Sequence, residues 1–175
     1  MCIRDRGKGF REAYALGWID RLPRIAVVQA AGAAPFARAF RDGAPLVPVQ
    51  AQTSATAIKI GAPASWKKSL AEVRASGGTV LAVDDDAIAD ARAMIGRDGI
   101  GCEPASAATL AGLRVLIADG TIGPDEDVVL VLTGHVLKDT GYAARYHGSD
   151  ARFANHIVRG TDPAELIDAL IAARA

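Results

Sequence analysis

Thr133-Gly134-His135 is the stretch of this chain best placed for chemistry, because it directly follows a short apolar run, residues 128–132. The run is rich in β-branched residues and is stopped by glycine, which predicts a strand buried on both faces of a parallel sheet. Ligands bind beyond the carboxyl ends of such strands, where Thr133 would lie. Its hydroxyl could donate a hydrogen bond, Gly134 would let a ligand approach the backbone, and His135 could act as a general base. The alternative is a core strand that ends in a tight turn and binds nothing.

Two other stretches carry side chains that could be reactive. Asp84, Asp85 and Asp86 could bind a metal ion, but aspartate is also preferred at helix N-termini, and we favour that interpretation. Cys102 could act as a nucleophile, yet unpaired cysteines are usually core residues, so we predict a buried thiol. The chain has only two cysteines, Cys2 and Cys102, which argues against a disulfide framework or a cysteine-based metal site and suits a reducing cytosol.

The elements that must position these residues alternate between helices and strands. Buried strands are predicted at residues 24–29, 79–83 and 128–132. Helices are predicted at residues 8–16, 36–40, 54–60, 66–75, 87–96 and 104–117, with a last helix that begins at Pro163. This order predicts an α/β fold, a partial three-layer parallel sheet flanked by helices. Leu110, Leu113 and Ile117 recur at helical spacing and would form the buried stripe of their helix.

Composition excludes several classes of protein. With 50% hydrophobic and 23% charged residues, the 175-residue chain should fold around a sizeable core. Lys+Arg and Asp+Glu are both 20, and no basic run or stripe suggests nucleic acid as a partner. No apolar stretch approaches the length of a membrane span, and no signal peptide is visible.

Three motifs, in order along the chain, resemble those of threonine synthases. Residues 132–135 (Leu-Thr-Gly-His), with 137–139 (Leu-Lys-Asp) behind them, resemble the C-terminal signature of that family. Residues 55–61 (Ala-Thr-Ala-Ile-Lys-Ile-Gly) and 103–108 (Glu-Pro-Ala-Ser-Ala-Ala) resemble two further motifs. The resemblance extends over about residues 7–138. It implies the C-terminal fragment of a fold-type II pyridoxal-phosphate enzyme, the tryptophan synthase β-like class.

The resemblance implies an activity, a cofactor and site residues. The whole enzyme would be a cytoplasmic lyase of threonine biosynthesis that converts the small molecule O-phosphohomoserine and water to threonine and phosphate. A homodimer is the expected assembly. Its cofactor would be pyridoxal 5'-phosphate, with Thr133 as the partner of the ring nitrogen and with Ala55 and Glu103 near the ring. Glu103 could instead satisfy the start of the helix that follows it. For His135 the resemblance favours a structural role, because it assigns the main proton transfers to a lysine.

Two parts that the resemblance implies have no match in the chain. The family's imine-forming lysine lies in a Ser-Phe-Lys-Asp-like segment, whereas Ser65-Trp66-Lys67 opens a helix. A Gly-Asn-Ala-Gly-Asn-like phosphate loop should lie just before Gly7, where residues 1–6 stand instead. Val136 also departs from the glycine that is commoner there. We therefore expect no catalytic lysine in this chain and no activity from the chain alone.

The expected organisation has three parts, and two other functions stay open. Residues 1–6 are predicted to be a non-native leader, 7–139 part of the large enzyme domain, and 140–175 a C-terminal extension that ends in a helix. One alternative is a fragment of a threonine or serine dehydratase-like enzyme with the same cofactor. The other is a non-catalytic α/β binding module, although Gly7-Lys8-Gly9 lacks the preceding strand that a nucleotide fingerprint requires.

Overall fold

The computed structural model describes residues 3–155, 160 and 162–172 of the chain. Within these residues the elements are α1 (Ile3–Ala15), β1 (Ala26–Ala30), α2 (Pro35–Asp42), α3 (Trp66–Ala75), β2 (Thr79–Val83), α4 (Asp85–Arg97), α5 (Pro104–Ala118), α6 (Thr140–His147) and α7 (Pro163–Ala172). Short 3-10 helices occupy Ala31–Ala33, Thr56–Ile58 and Val136–Asp139. The predictions for Met1 and Cys2, and parts of the predicted C-terminal extension, lie outside the described residues.

The sheet is a parallel pair formed by β1 and β2. Its register runs from Ala26 opposite Thr79 to Ala30 opposite Val83, and the connection between the strands contains α2 and α3. Both strands are rich in valine, whose branched side chain suits a pleated, packed surface. The prediction at 79–83 is confirmed, and the strand predicted at 24–29 lies at Ala26–Ala30.

Alternate strand residues face two separate cores. Val27 and Val80 belong to a cluster that includes Phe36 of α2 and Val73 of α3. Val28 packs against a second cluster, in which Ala30 and Val83 join the apolar residues of α4 and α5. Because side chains alternate across a strand, these two clusters lie on opposite faces of the sheet. The predicted α/β architecture, a sheet between two helical layers, is confirmed.

Helix α5 packs closely on the sheet because its buried face consists of small residues. Its buried positions include Ala107, Ala111 and Gly112. A β-carbon added at Gly112 would lie 2.3 Å from Cγ2 of Val28, so only glycine fits this approach. Of the predicted stripe, Leu110 packs against the buried cluster and Leu113 is half-buried, whereas the prediction is wrong for Ile117. Ile117 is 55% exposed, because the face that approaches the sheet most closely requires small side chains.

Residues 128–132, predicted as a third strand, form no ladder with any part of the chain that the structure describes. Val129 is 86% exposed and Val131 is 42% exposed, whereas Leu130 and Leu132 are half-buried. This alternation has the period of a strand with one covered face. The strand prediction is wrong for this structure, because an apolar run becomes a strand only when a neighbouring strand supplies its hydrogen bonds.

The N-terminal helix and the short helix near Ala55 also differ from their predictions. Helix α1 begins at Ile3, inside the predicted leader, and Ile3 packs against the cluster that contains Phe36. The helix predicted through Ile60 is reduced to the 3-10 turn Thr56–Ile58.

Helix α6 was not predicted at all, because its residues lack a clear apolar period. It packs on α4 through two tyrosines: Tyr142 lies near the Arg92 guanidinium, and the Tyr146 hydroxyl donates to Asp90 Oδ1 at 2.6 Å. Helix α7 begins at Pro163 as predicted, and Asp162 caps it, since Asp162 Oδ1 accepts from the N–H of Ala164 at 2.8 Å. No helix in the described ranges is long and apolar enough to cross a membrane.

Candidate functional site

The candidate site lies near the carboxyl ends of the two strands. Ala30 and Val83, the last residues of β1 and β2, belong to the same buried cluster as Ala55 and Cys102. Leu132, which directly precedes Thr133, packs against this cluster. The three motifs singled out in the sequence therefore border one buried cluster, which also contains the last residues of both strands. In α/β proteins ligands bind beyond these strand ends.

Ser106 holds the turn that contains Thr133. Its Oγ accepts hydrogen bonds from the N–H groups of Thr133 and Gly134, each at 3.0 Å. The side chain is 1% exposed and lies in the first turn of α5. Sequence reasoning did not single out Ser106, although a serine at the start of an alanine-rich buried face was a signal that could have identified it.

Glu103 contacts the same turn from the other side. Its N–H donates to the Gly134 carbonyl at 2.9 Å. Its side chain, in a residue that is 8% exposed, fills the space beside Gly134. A β-carbon at position 134 would lie 2.0 Å from Glu103 Cδ, so any side chain here would have to displace the Glu103 carboxyl group. Lys138 Nζ lies 3.9 Å from Glu103 Oε2 and brings one positive charge near this buried carboxylate.

Thr133 keeps an exposed side chain above this anchored backbone. Its Oγ1 lies 3.4 Å from Ser106 Oγ, while its neighbour Gly134 is buried. The turn thus presents one hydroxyl at the carboxyl edge of the sheet, on a backbone fixed by two hydrogen bonds. Such a hydroxyl can donate one hydrogen bond to a ligand.

Ala55 is positioned by a loop that Asp85 holds. Ala55 is 1% exposed, and its N–H donates to Thr53 Oγ1 at 3.1 Å. Asp85 accepts from the Thr53 hydroxyl at 2.5 Å and from the Ser54 N–H at 2.6 Å. Sequence reasoning missed this role of Asp85, because the contact joins residues 31 and 32 positions apart.

The three aspartates do not act together. Asp84 is the N-cap of α4 and accepts from the Ala87 N–H at 2.6 Å, which confirms the capping prediction. Asp85 instead faces the loop before Ala55. No group of three or more His, Cys, Asp or Glu side chains in the described part of the chain is placed to hold a metal ion.

Cys102 and His135 have structural surroundings. Cys102 is buried as predicted, and burial raises the pKa of its thiol, which disfavours the nucleophilic thiolate. Its carbonyl accepts from Nε of the buried Arg92 at 3.0 Å. His135 forms an isolated bridge with Cys102, and its Nδ1 accepts from the Leu137 N–H at 3.2 Å. This contact uses one ring nitrogen of His135 to close the turn.

The five lysines all lie on the surface. All five residues are exposed, namely Lys8, Lys59, Lys67, Lys68 and Lys138. A lysine that attacks a carbonyl group is usually activated by removal from water or by a neighbouring cation. Because all five lysines are exposed, none of them is removed from water.

A parallel sheet between two helical layers, with an anchored glycine turn that exposes Thr133, defines an α/β domain. Comparison with known families makes the class specific. The chain belongs to the pyridoxal-phosphate dependent enzyme family, whose model matches residues 7–134.

Several curated relatives of this chain are threonine synthases. Threonine synthase of Methanosarcina acetivorans is 48% identical over 135 residues, which is 75% of this chain and 33% of the relative. Threonine synthase of Methanocaldococcus jannaschii is 44% identical over 141 residues, 79% of this chain and 35% of the relative. Threonine synthase of Mycobacterium tuberculosis is 42% identical over 139 residues, 79% of this chain and 37% of the relative. The chain thus spans about a third of the length of these relatives.

A solved structure shares the fold. A fungal L-serine ammonia-lyase from Rhizomucor miehei superposes with a TM-score of 0.59 at 22% sequence identity. The match covers 78% of this chain and 45% of the ammonia-lyase chain. At this identity the likeness describes the architecture of the domain and not its substrate.

Proposed function

We propose that this chain is part of a threonine synthase, a lyase that converts O-phosphohomoserine and water to threonine and phosphate. The observation that carries the proposal is the 48% identity to a threonine synthase over 135 residues, a stretch long enough to include the Thr133 turn. The exposed position of Thr133 is the geometric observation that supports this proposal. A cytoplasmic location and assembly as a homodimer remain proposals that accompany this function.

In this proposal the chain holds the ring end of pyridoxal phosphate. Thr133 would donate to the ring nitrogen, and Ala55 and Glu103 would lie near the ring. The exposed hydroxyl of Thr133 fits this role, since a hydroxyl can donate to an unprotonated nitrogen whereas a carboxylate would hold a proton there. When bound, the cofactor supplies an electron sink for negative charge that develops on the substrate.

The buried residues have supporting roles in the same proposal. Glu103 fixes the Gly134 turn through its N–H and its packed side chain. It thereby helps to set the position of the Thr133 hydroxyl relative to the cofactor ring. Ala55 contributes a small side chain to the buried cluster below the edge. The match covers 33% of the Methanosarcina acetivorans relative. We assign the imine-forming lysine and the phosphate-binding donors to the part of such an enzyme that lies outside this match.

A hybrid enzyme tests the proposal. Residues 7–139 of this chain replace the matching stretch of the Methanosarcina acetivorans threonine synthase, and phosphate and threonine formed from O-phosphohomoserine are measured. We expect the hybrid to bind pyridoxal phosphate and to form both products. A folded hybrid that instead releases ammonia from threonine or serine would favour the dehydratase-like alternative. A folded hybrid that binds no pyridoxal phosphate would overturn the assignment of the site.

The 175-residue chain alone is the companion experiment. We expect it to release no phosphate from O-phosphohomoserine and to react with pyridoxal phosphate only at the slow rate of surface amines. A stoichiometric imine absorbance that disappears when one particular lysine is replaced would contradict this expectation. It would indicate that one of the five lysines serves as the cofactor lysine.

A further inference from the structure

We propose that Ser106 is the positioning residue that makes the Thr133 hydroxyl a hydrogen-bond donor toward the ligand. This inference rests on the proposed role of Thr133 as the partner of the cofactor's ring nitrogen. It begins from the observation that Ser106, although 1% exposed, uses its hydroxyl entirely for the Thr133 turn.

The number of hydrogen bonds that a hydroxyl can make fixes the direction of this contact. A serine hydroxyl has one proton to donate and two lone pairs to accept with. Both lone pairs of Ser106 are occupied by the N–H groups of Thr133 and Gly134, each at 3.0 Å. Only the Ser106 proton is left, and it must point to an acceptor.

Thr133 Oγ1 is that acceptor. A helical serine can also donate to the carbonyl three or four residues earlier, which here belongs to Glu103 or Cys102. No hydrogen bond joins Ser106 Oγ to either carbonyl, so in the described part of the chain the Thr133 hydroxyl is the acceptor within reach. Thr133 Oγ1 lies 3.4 Å from Ser106 Oγ, longer than the usual 2.7–2.8 Å between hydroxyls, so the bond is weak and adds little to stability. Its role in this proposal is to set the direction of the Thr133 hydroxyl.

The consequence is a fixed direction for the Thr133 proton. When Thr133 Oγ1 accepts from Ser106 on its buried side, its own O–H points to the exposed side. An unprotonated ring nitrogen placed there can only accept, so the orientation set by Ser106 matches the need of the ligand. Ser106 therefore acts through Thr133 and does not itself touch the cofactor.

The first measurement concerns the backbone and uses the 175-residue chain. Ser106→Ala should make the Thr133 and Gly134 amides exchange with solvent roughly tenfold faster, since each loses one hydrogen bond. Ser106→Cys replaces the hydroxyl oxygen with the larger sulfur, which leaves no cavity and is a poor acceptor, so it should give the same result for a reason other than lost packing. Thr109→Val is the matched control, because the Thr109 hydroxyl donates to the Ser106 carbonyl within the same helix. Unchanged exchange at both amides in Ser106→Cys would overturn the anchoring role.

The second measurement concerns the ligand and uses the hybrid enzyme loaded with cofactor labelled with ¹⁵N in its ring. Thr133→Val should move the ring-nitrogen NMR signal toward that of a pyridine without a donor, and Ser106→Cys should move it partway in the same direction. In the Thr133→Val background, Ser106→Cys should move the signal no further, whereas a general effect on structure would move it in both backgrounds.

The outcomes separate the two proposals. No change in the signal for Thr133→Val would refute Thr133 as the nitrogen partner. A change for Thr133→Val with none for Ser106→Cys would refute only the role of Ser106. Thr109→Val should leave the signal at its parent position.

Discussion

The side chain of Glu103 occupies the space that any side chain at position 134 would need. A β-carbon on Gly134 would lie 2.0 Å from both Cδ and Oε1 of Glu103. The same two residues are joined by a hydrogen bond from the Glu103 N–H to the Gly134 carbonyl at 2.9 Å. The start of α5 therefore holds the Thr133 turn through two contacts of Glu103, a backbone hydrogen bond to Gly134 and the packing of its side chain beside Gly134.

Gly134→Ala should therefore destabilise the chain. The new methyl group must displace the packed carboxyl group of Glu103, and overpacking of this kind costs about 1–3 kcal/mol. Urea unfolding of the 175-residue chain measures the change in free energy. Gly123→Ala is the matched control, because a β-carbon there meets nothing within 4 Å. Equal stability of the two variants would show that Glu103 can move aside without cost.

Gly112→Ala should also destabilise the chain, although alanine favours helices. The added β-carbon would lie 2.3 Å from Val28 Cγ2 and would push α5 away from the sheet. Gly96→Ala in α4 provides the contrast, since it meets nothing within 4 Å and should stabilise the chain by up to about 1 kcal/mol through helix propensity. Opposite signs in the two unfolding free energies are expected. A stabilising Gly112→Ala would contradict the close approach of α5 to Val28.

The sequence predicted those parts of the fold whose causes are local. The β-branched run Thr79–Val83, the helix Trp66–Ala75 and the Asp84 cap each depend on neighbouring residues, and all three are found in the structure. Residues 128–132 show the limit of this reasoning. Their composition suits a buried strand, but a strand also needs a partner, and that requirement cannot be read from the run itself.

The residues of the candidate site could be predicted from the sequence, but the hydrogen bonds that hold them in place could not. Thr133, Ala55 and Glu103 stood out in motifs. The structure joins Glu103 to the Thr133 turn and puts Ala55 in the buried cluster against which Leu132 packs. The bonds from Ser106 to the Thr133 turn cross 27 and 28 positions, and those from Asp85 to the Ala55 loop cross 31 and 32. Contacts over such separations follow from packing, which periodicity and capping rules do not determine.

Alkaline pH should weaken the packing of α6 on α4. Burial raises the pKa of both Tyr142 and Tyr146 to about 12, and the hydrogen bond to Asp90 adds to the rise for Tyr146. A raised pKa means that folding favours the protonated phenol. This stabilisation is complete below the unfolded value of about pH 10 and is lost as the pH rises through about 12.

Urea unfolding across this pH range measures the effect. The free energy of unfolding should fall between pH about 10 and about 12, and the fall should be smaller in Tyr142→Phe and Tyr146→Phe. Tyr14→Phe is the control, because Tyr14 is 51% exposed and lies on α1. If all three variants lose stability with pH as steeply as the parent chain, the phenols of Tyr142 and Tyr146 do not control this transition.

Thr133→Val in the hybrid enzyme should lower turnover of O-phosphohomoserine by roughly tenfold to a thousandfold, the usual effect of losing one electrostatic partner of a reacting group. Valine keeps the shape of threonine and removes the donor, and the exposed position of the side chain makes a folding defect unexpected. Thr133→Ser is the matched control, because it keeps the hydroxyl and should retain most of the activity. Thermal unfolding of each hybrid checks that the three proteins are equally folded. Equal turnover of the valine variant and its parent would mean that the ring nitrogen has another partner.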